Sequence, residues 1–220
     1  MGYHRAGFDV VGVDVKKQPN YQFEFIQGDA MAYLADADFL SRFDAIHASP
    51  PCQGYSVMRN LPWLKNKEYP LMIQPVRELC IASGLPYVIE NVMGARYRAG
   101  MEHGIERGAY WLCGTMFGLP FYRHRLFESN VYWLKPMHPK HVRRIRAKAH
   151  RGSDVVQSGI TAWSANANDA HGHASKGVAL VRQAMGIDWM TGAELSQAIP
   201  PAYTLHVGDF LMRAVRPPAP

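Results

Sequence analysis

Cysteine is scarce in this chain. There are three in 220 residues, Cys52, Cys80 and Cys113, and no Cys-x-x-Cys pair. So small and scattered a set cannot build the disulfide framework of a small secreted domain. It argues for a reducing compartment, hence a cytoplasmic protein, and against a structural zinc site. Long apolar runs are missing as well. No stretch approaches the roughly 20 residues that a bilayer-spanning helix needs, and there is no signal peptide. Acidic residues are outnumbered, 18 Asp and Glu against 24 Lys and Arg, and the net charge of +6 favours a polyanionic partner. The length suits one domain, or one domain with an insert, and is enough to bury roughly 70% of the unfolded surface without covalent staples.

What is present centres on Ala48-Ser49-Pro50-Pro51-Cys52-Gln53-Gly54-Tyr55-Ser56. A short apolar run, Phe43 to His47, precedes it and reads as a buried strand. The Pro-Pro pair stiffens the backbone and removes two N–H donors. Cys52 is thereby held on a rigid loop at a strand's carboxyl edge, where open α/β sheets place their chemistry. A thiol there is either an inert group packed beside a turn or a nucleophile. A second β-like run, Pro86 to Val92, ends in Glu90 and Asn91. Its carboxylate either reaches solvent at the strand tip or faces Cys52.

Elsewhere the chain alternates strand and helix signals. Met1 to Phe8 reads as the last turns of a helix closed by Gly7, and Asp9 to Val15, rich in valine, as a buried parallel strand. Asp14 near its end caps a turn or accepts from ribose hydroxyls. Phe23 to Gln27 is a short strand, and Asp29 is placed to cap a helix over Ala30 to Leu40. Tyr55 to Lys67 is a loop carrying Trp63, Lys65 and Lys67. Glu68 to Gly84 has the helical spacing that makes Cys80 a core residue, with Pro75 kinking the helix or marking its start. Trp111 to Pro120 reads as a strand and turn with Cys113 buried. Arg123 and Arg125 are expected on one strand face, with His124 on the other as a surface or satisfied core residue and not a ligand. From Val131 the composition shifts to a basic, histidine-containing stretch and then to Ser, Ala, Asn, Gly and His. That suits phosphate contact or a solvated segment, and His171 and His173 have no third ligand at suitable spacing. Val178 to Met185 is helical, Thr191 and Glu194 form a capping box, and Val207 to Val215 is the closing helix.

Three motifs together carry a resemblance. Pro50-Pro51-Cys52-Gln53, Glu90-Asn91-Val92 and Arg123-His124-Arg125-Leu126-Phe127, in this order and spacing, resemble the nucleophile loop, the acid motif and the Arg-x-Arg segment of DNA cytosine-5 methyltransferases of small phage or bacterial type. The likeness covers most of Met1 to Ser129 and returns near Thr191 to Phe210. It implies an α/β fold, a Rossmann-like S-adenosylmethionine-dependent methyltransferase sheet with a small insert. It implies methyl transfer to C5 of a flipped-out cytosine in DNA, as in restriction–modification, through a bond from Cys52 to C6.

The implied roles follow the motifs. Cys52 is the nucleophile, Glu90 holds the N3 and N4 edge, Arg125 holds O2 with Arg123 beside it, and Asn91 orients the Pro-Cys loop. Asp14, Asp29 and Pro50 are implied on the cofactor side, Gln53 and Ser56 on the DNA side, and no metal is implied. Residues 1–135 would be the catalytic domain, 136–186 a target-recognition insert, and 187–220 the return to the catalytic domain. Two departures stand out. The family's Phe-x-Gly-x-Gly turn, which cradles the methionine part of the cofactor, has no counterpart. The sheet is therefore expected to lack its first strand and to leave unpaired edges, and the helix-like opening points to an upstream segment. Ile199-Pro200-Pro201-Ala202-Tyr203 also replaces a Gly-Asn-Ser-Val run. Two rival readings remain, an impaired remnant that binds DNA or a partner, and an RNA cytosine-5 methyltransferase.

Overall fold

Gly7 turns the chain out of its first helix. Its φ of +98° closes α1 (Gly2–Arg5) and directs the backbone into β1 (Val11–Asp14). The computed structural model describes residues 1–56, 61–62, 66–101, 109–141 and 176–216. β1 pairs in parallel with β2 (Glu24–Gln27), Val11 opposite Glu24 and Asp14 opposite Gln27. The expected burial of this strand is not found. β1 is half-buried throughout and Val15 is 67% exposed. The physical reason is that β2 is its one strand partner among the described residues, so an edge and part of each face stay open.

Asp29 accepts from the Met31 N–H and starts α2 (Ala30–Ala35), as its side chain predicts. The single helix expected to Leu40 breaks at Asp36. That residue adopts an extended backbone and accepts from the Phe39 N–H, so it caps a new helix, α3 (Ala37–Leu40). Aspartate competes for backbone donors and favours a cap over a helix interior.

The main sheet follows. β3 (Ile46–Ala48), β4 (Tyr87–Asn91), β5 (Tyr110–Leu112) and β6 (Arg125–Ser129) lie in the order β3-β4-β6-β5. β3 and β4 are parallel, and β6 runs antiparallel to both its neighbours. Helix α4 (Ile73–Ala82) lies between β3 and β4 in sequence, α5 (Ala95–Arg98) follows β4, and a 3-10 turn (Gly114–Phe117) follows β5. Pro75 falls in the first turn of α4, where its missing N–H leaves no bond unmade. α6 (Lys176–Met185), α7 (Gly192–Gln197) and α8 (Pro201–Val215) complete the chain as described, with the Thr191–Glu194 capping box formed at α7.

Strand alternation divides the core in two. On one face Val88, Leu112 and Phe127 pack with Trp133 and with Tyr203, Val207 and Leu211 of α8. On the other, Tyr87, Ile89 and Leu126 pack against Ile73, Val76 and Cys80 of α4. Cys80 is thus core, and burial pushes its thiol up to about 12. α1 crosses α8 at Gly208, where a Cβ would come 2.9 Å from Ala6 Cβ and 3.0 Å from Tyr3 Cδ1. Gly208→Val is expected to force the two helices apart and to cost about 1–3 kcal/mol, read as a shift in the urea midpoint.

Candidate active site

β4 ends in two polar residues that point to opposite faces. Glu90 lies opposite Phe127 of β6, so Arg125, two residues earlier, is its diagonal neighbour on the same face. The Arg125 Nε stands 3.0 Å from Glu90 Oε1. Glu90 is 6% exposed, and this burial pushes its carboxyl above the usual range. Arg125, a hydrogen bond from Ser49 and the charge of Arg123 oppose that shift without reversing it.

Asn91, on the other face, reaches back to the Pro-Pro-Cys loop. Its Nδ2 donates to the Pro50 carbonyl at 2.9 Å, and its Oδ1 accepts from the Val92 N–H. The rest of the loop is held as firmly. The Cys52 carbonyl accepts from the Tyr55 and Ser56 N–H groups, and Arg98 Nη1 donates to the Gly54 carbonyl at 3.0 Å. The buried Tyr55 hydroxyl accepts from the Ile73 N–H at the start of α4. Gly94 lets the β4–α5 connection press on the loop, since a Cβ there would lie 2.0 Å from the Tyr55 carbonyl oxygen. Cys52 is half-buried in this frame. Burial raises its thiol above the ordinary value, and the Glu90 charge adds to the rise. Arg125 and Arg123 pull the other way. The thiol and the carboxyl therefore share their surroundings and their two cations. Gln53 lies exposed next to Cys52, and Ser56 is half-buried at the loop's end.

Arg123 corrects an expectation. It does not share a strand face with Arg125, because it precedes β6 and turns inward, 2% exposed. Its Nη1 donates to the Leu195 carbonyl at 3.2 Å and its Nη2 to the Ser196 carbonyl at 2.6 Å. The open carbonyls of the last turn of α7 attract a cation more strongly than a strand face does. Burial, with Arg125 adding, pushes its guanidinium down to about 9, and its Nε has no partner among the described groups. Tyr203 of α8 donates its hydroxyl to the Arg123 carbonyl, so the closing helix braces the Arg-x-Arg segment.

Three residues that motif reading passed over extend the site. The Tyr3 hydroxyl lies 2.7 Å from His47 Nδ1, His47 Nε2 lies 3.0 Å from Ser49 Oγ, and Ser49 bonds Glu90. Burial lowers His47 to about 4 and raises the Tyr3 phenol, so both are neutral near pH 7. The donors then run one way, Tyr3 to His47, His47 to Ser49 and Ser49 to Glu90. The spacing of His47 and Ser49, two apart at the end of β3, is the signal that could have found them.

The proposed cofactor-side acids are engaged locally. Asp14 accepts from the Lys16 N–H at 2.7 Å and from Gln18 Nε2 at 3.1 Å, and Asp29 caps α2. Each carboxylate keeps further acceptor positions. Trp63 and Lys65 of the loop after Cys52, and residues 142–175 of the expected insert with His171 and His173, lie outside the described residues. No helix among the described residues is long and apolar enough to cross a membrane.

No protein-family profile matches the sequence, and no curated protein matches it. Solved structures do resemble it. One is described as a DNA modification methyltransferase encoded within an E. coli prophage, 20% identical with a TM-score of 0.41 over 58% of this chain and 41% of that one. Another is a mutant of Spodoptera frugiperda DNMT2, 16% identical with a TM-score of 0.39 over 66% of this chain and 50% of that one. This chain spans half or less of the length of both.

Proposed function

We propose that this chain is a Rossmann-like cytosine-5 methyltransferase acting on DNA. The observation that carries the reading is the grouping of one thiol and one carboxyl between two arginines, with the thiol's loop tied by Asn91, the residue next to the carboxyl. The separation of β1 and β2 from the main sheet supports an architecture interrupted at its first strand. In this reading residues 1–135 and 187–220 form the catalytic domain and 136–186 the insert that contacts DNA, and the net charge of +6 suits that substrate.

C5 of cytosine is a weak nucleophile. Addition of the Cys52 thiolate to C6 of a flipped base turns the ring into an enamine whose C5 can attack an electrophile. Glu90, whose carboxyl burial raises above the usual range, gives a proton toward N3 as the C6–S bond forms. Arg125, already beside Glu90, takes O2, and buried Arg123 adds positive charge without leaving its carbonyl partners. Asn91 fixes the loop so that the thiol meets the ring at one angle. When bound, S-adenosylmethionine would supply the methyl group for C5 and leave as S-adenosylhomocysteine. A base or water then takes the C5 proton, its electron pair re-forms the C5–C6 double bond, Cys52 leaves as the thiolate, and N3 returns its proton to Glu90, which restores the aromatic ring. The residues present fit the nucleoside end of that cofactor, with Asp14 for the ribose hydroxyls, Asp29 for the adenine amino group and Pro50 in the adjoining loop. They offer no glycine-rich turn for its methionine end.

A second reading is a chain that binds DNA or a partner without turning over. Isothermal titration with S-adenosylmethionine separates the two. Binding at micromolar to millimolar ligand with tritium transfer to a mixed-sequence duplex supports the enzyme, and no heat at millimolar ligand supports the remnant. Competing tRNA against the duplex distinguishes an RNA substrate.

The pH dependence has a definite sign. The reactive form needs Cys52 ionised and Glu90 protonated, although both groups are shifted upward. The rate kcat/KM is expected to rise with pH up to the Glu90 pKa, to level off, and to fall above the Cys52 pKa. Ser49→Ala removes a donor that favours the carboxylate, so it is expected to move the acid limb to higher pH by about half to one unit. An unmoved acid limb would show that Glu90 does not set it.

A further inference from the structure

The geometry points to a structural zinc site formed by Cys113, His124, His138 and His141, independent of the methyl-transfer reading. One ligand atom from each of the four lies within 4.8 Å of every other. Cys113 Sγ and His141 Nε2 are 3.2 Å apart, and His138 Nε2 and His141 Nε2 are 3.0 Å apart. Ordinary Zn–S and Zn–N lengths in a tetrahedron place neighbouring ligand atoms about 3.3–3.6 Å from one another, so a small adjustment accommodates the ion. Four lone-pair atoms grouped this closely are poorly served by hydrogen bonds. A proton on His141 Nε2 is directed at one acceptor, whereas a cation satisfies all four groups together.

The donor set selects the metal. One thiolate and three imidazoles suit zinc, and no carboxylate among the described residues joins them to favour calcium or magnesium. Four protein ligands close the coordination shell, which marks a structural site and leaves no place for a bound water. Thr115 Oγ1 stands 3.3 Å from Cys113 Sγ, and Tyr122 stacks on the His141 ring at 3.8 Å. Trp111 packs against both His124 and His138. Binding would release the Cys113 thiol proton to solvent.

The position suggests what the ion does. His124 stands between Arg123 and Arg125, Cys113 follows β5, and His138 and His141 lie on the segment that leads away from the sheet after β6. One ion would pin that departing segment to the Arg-x-Arg turn and so fix the base of the basic stretch beyond it.

The test uses the full chain purified under reducing conditions without a metal-affinity tag. Elemental analysis is expected to find one zinc per chain. Replacement by cobalt(II) is expected to give the visible bands of tetrahedral cobalt and a near-ultraviolet thiolate-to-cobalt band. His138→Asn, at a half-buried surface position, is expected to weaken zinc binding by more than about 100-fold, since loss of a group that merely hydrogen-bonds a ligand already reaches that scale. Cys113→Ser removes the near-ultraviolet band, with circular dichroism checking that this buried site still folds. Two results overturn the inference. One is no zinc or cobalt held against a micromolar chelating dye. The other is one equivalent retained with an unchanged cobalt spectrum in the folded His138→Asn, His141→Asn double variant.

Discussion

Cys52→Ala is expected to abolish covalent capture of DNA containing 5-fluorocytosine and to lower turnover by at least about 10⁴-fold, the scale on which loss of a nucleophile acts. Fluorine at C5 blocks the release step, so a working thiol leaves a denaturation-resistant adduct visible as a shifted band. The side chain is half-buried on a loop whose anchors are Asn91, Arg98 and Tyr55. None of these bonds uses the thiol, so the substitution is expected to change stability by no more than about 1 kcal/mol. The comparison with Glu90→Gln gives the result its meaning. Glutamine keeps the shape and one acceptor but cannot pass a proton, and a loss of about 10²–10⁴-fold is expected with slow adduct formation retained. An adduct that forms equally well in Cys52→Ala would move the nucleophile elsewhere.

The parts of this site that were legible in the sequence are those set by neighbours along the chain. Asp29 and the Thr191–Glu194 pair declare their helices because a capping side chain bonds a backbone group two or three residues on. Gly7 closes α1 because a left-handed φ is costly for any residue with a Cβ. The Pro-Pro-Cys loop and the Glu-Asn strand end are similarly local. What stayed hidden depends on sequence-distant partners. The place of Arg123 is decided by two carbonyls of α7, more than 70 residues away. His124 reads as an ordinary polar residue until β5 and the segment after β6 bring Cys113, His138 and His141 beside it. Their spacing along the chain follows no finger pattern. The link from Tyr3 to His47 joins α1 to β3 across 44 residues. Asp36 was misread for a different reason, since an alanine-rich stretch masked a residue that caps better than it propagates.

The largest effect on stability is expected at Arg77→Met. Arg77 of α4 is 6% exposed and Glu128 of β6 is 2% exposed. Arg77 Nε meets Glu128 Oε1 at 2.5 Å and Nη2 meets Oε2 at 2.8 Å, a two-pronged pairing. Two further guanidinium bonds go to Gln74 Oε1 and the Ala99 carbonyl. Methionine fills similar space but leaves a carboxylate buried without its partner, which costs about 3–5 kcal/mol. A chemical-denaturation midpoint measures the loss. The double variant Arg77→Met, Glu128→Leu removes both charges and is expected to recover most of it, because the desolvation cost disappears with the attraction. The same guanidinium, through Ala99, steadies the end of α5, and Arg98 beside it holds the Gly54 carbonyl of the Cys52 loop. The single variant is therefore expected to loosen the thiol's loop before the sheet melts, seen as faster amide exchange at Gly54 and Tyr55 than in the double variant. If the single substitution changes stability by less than about 1 kcal/mol, the pair is not the brace between α4 and β6 that its geometry indicates.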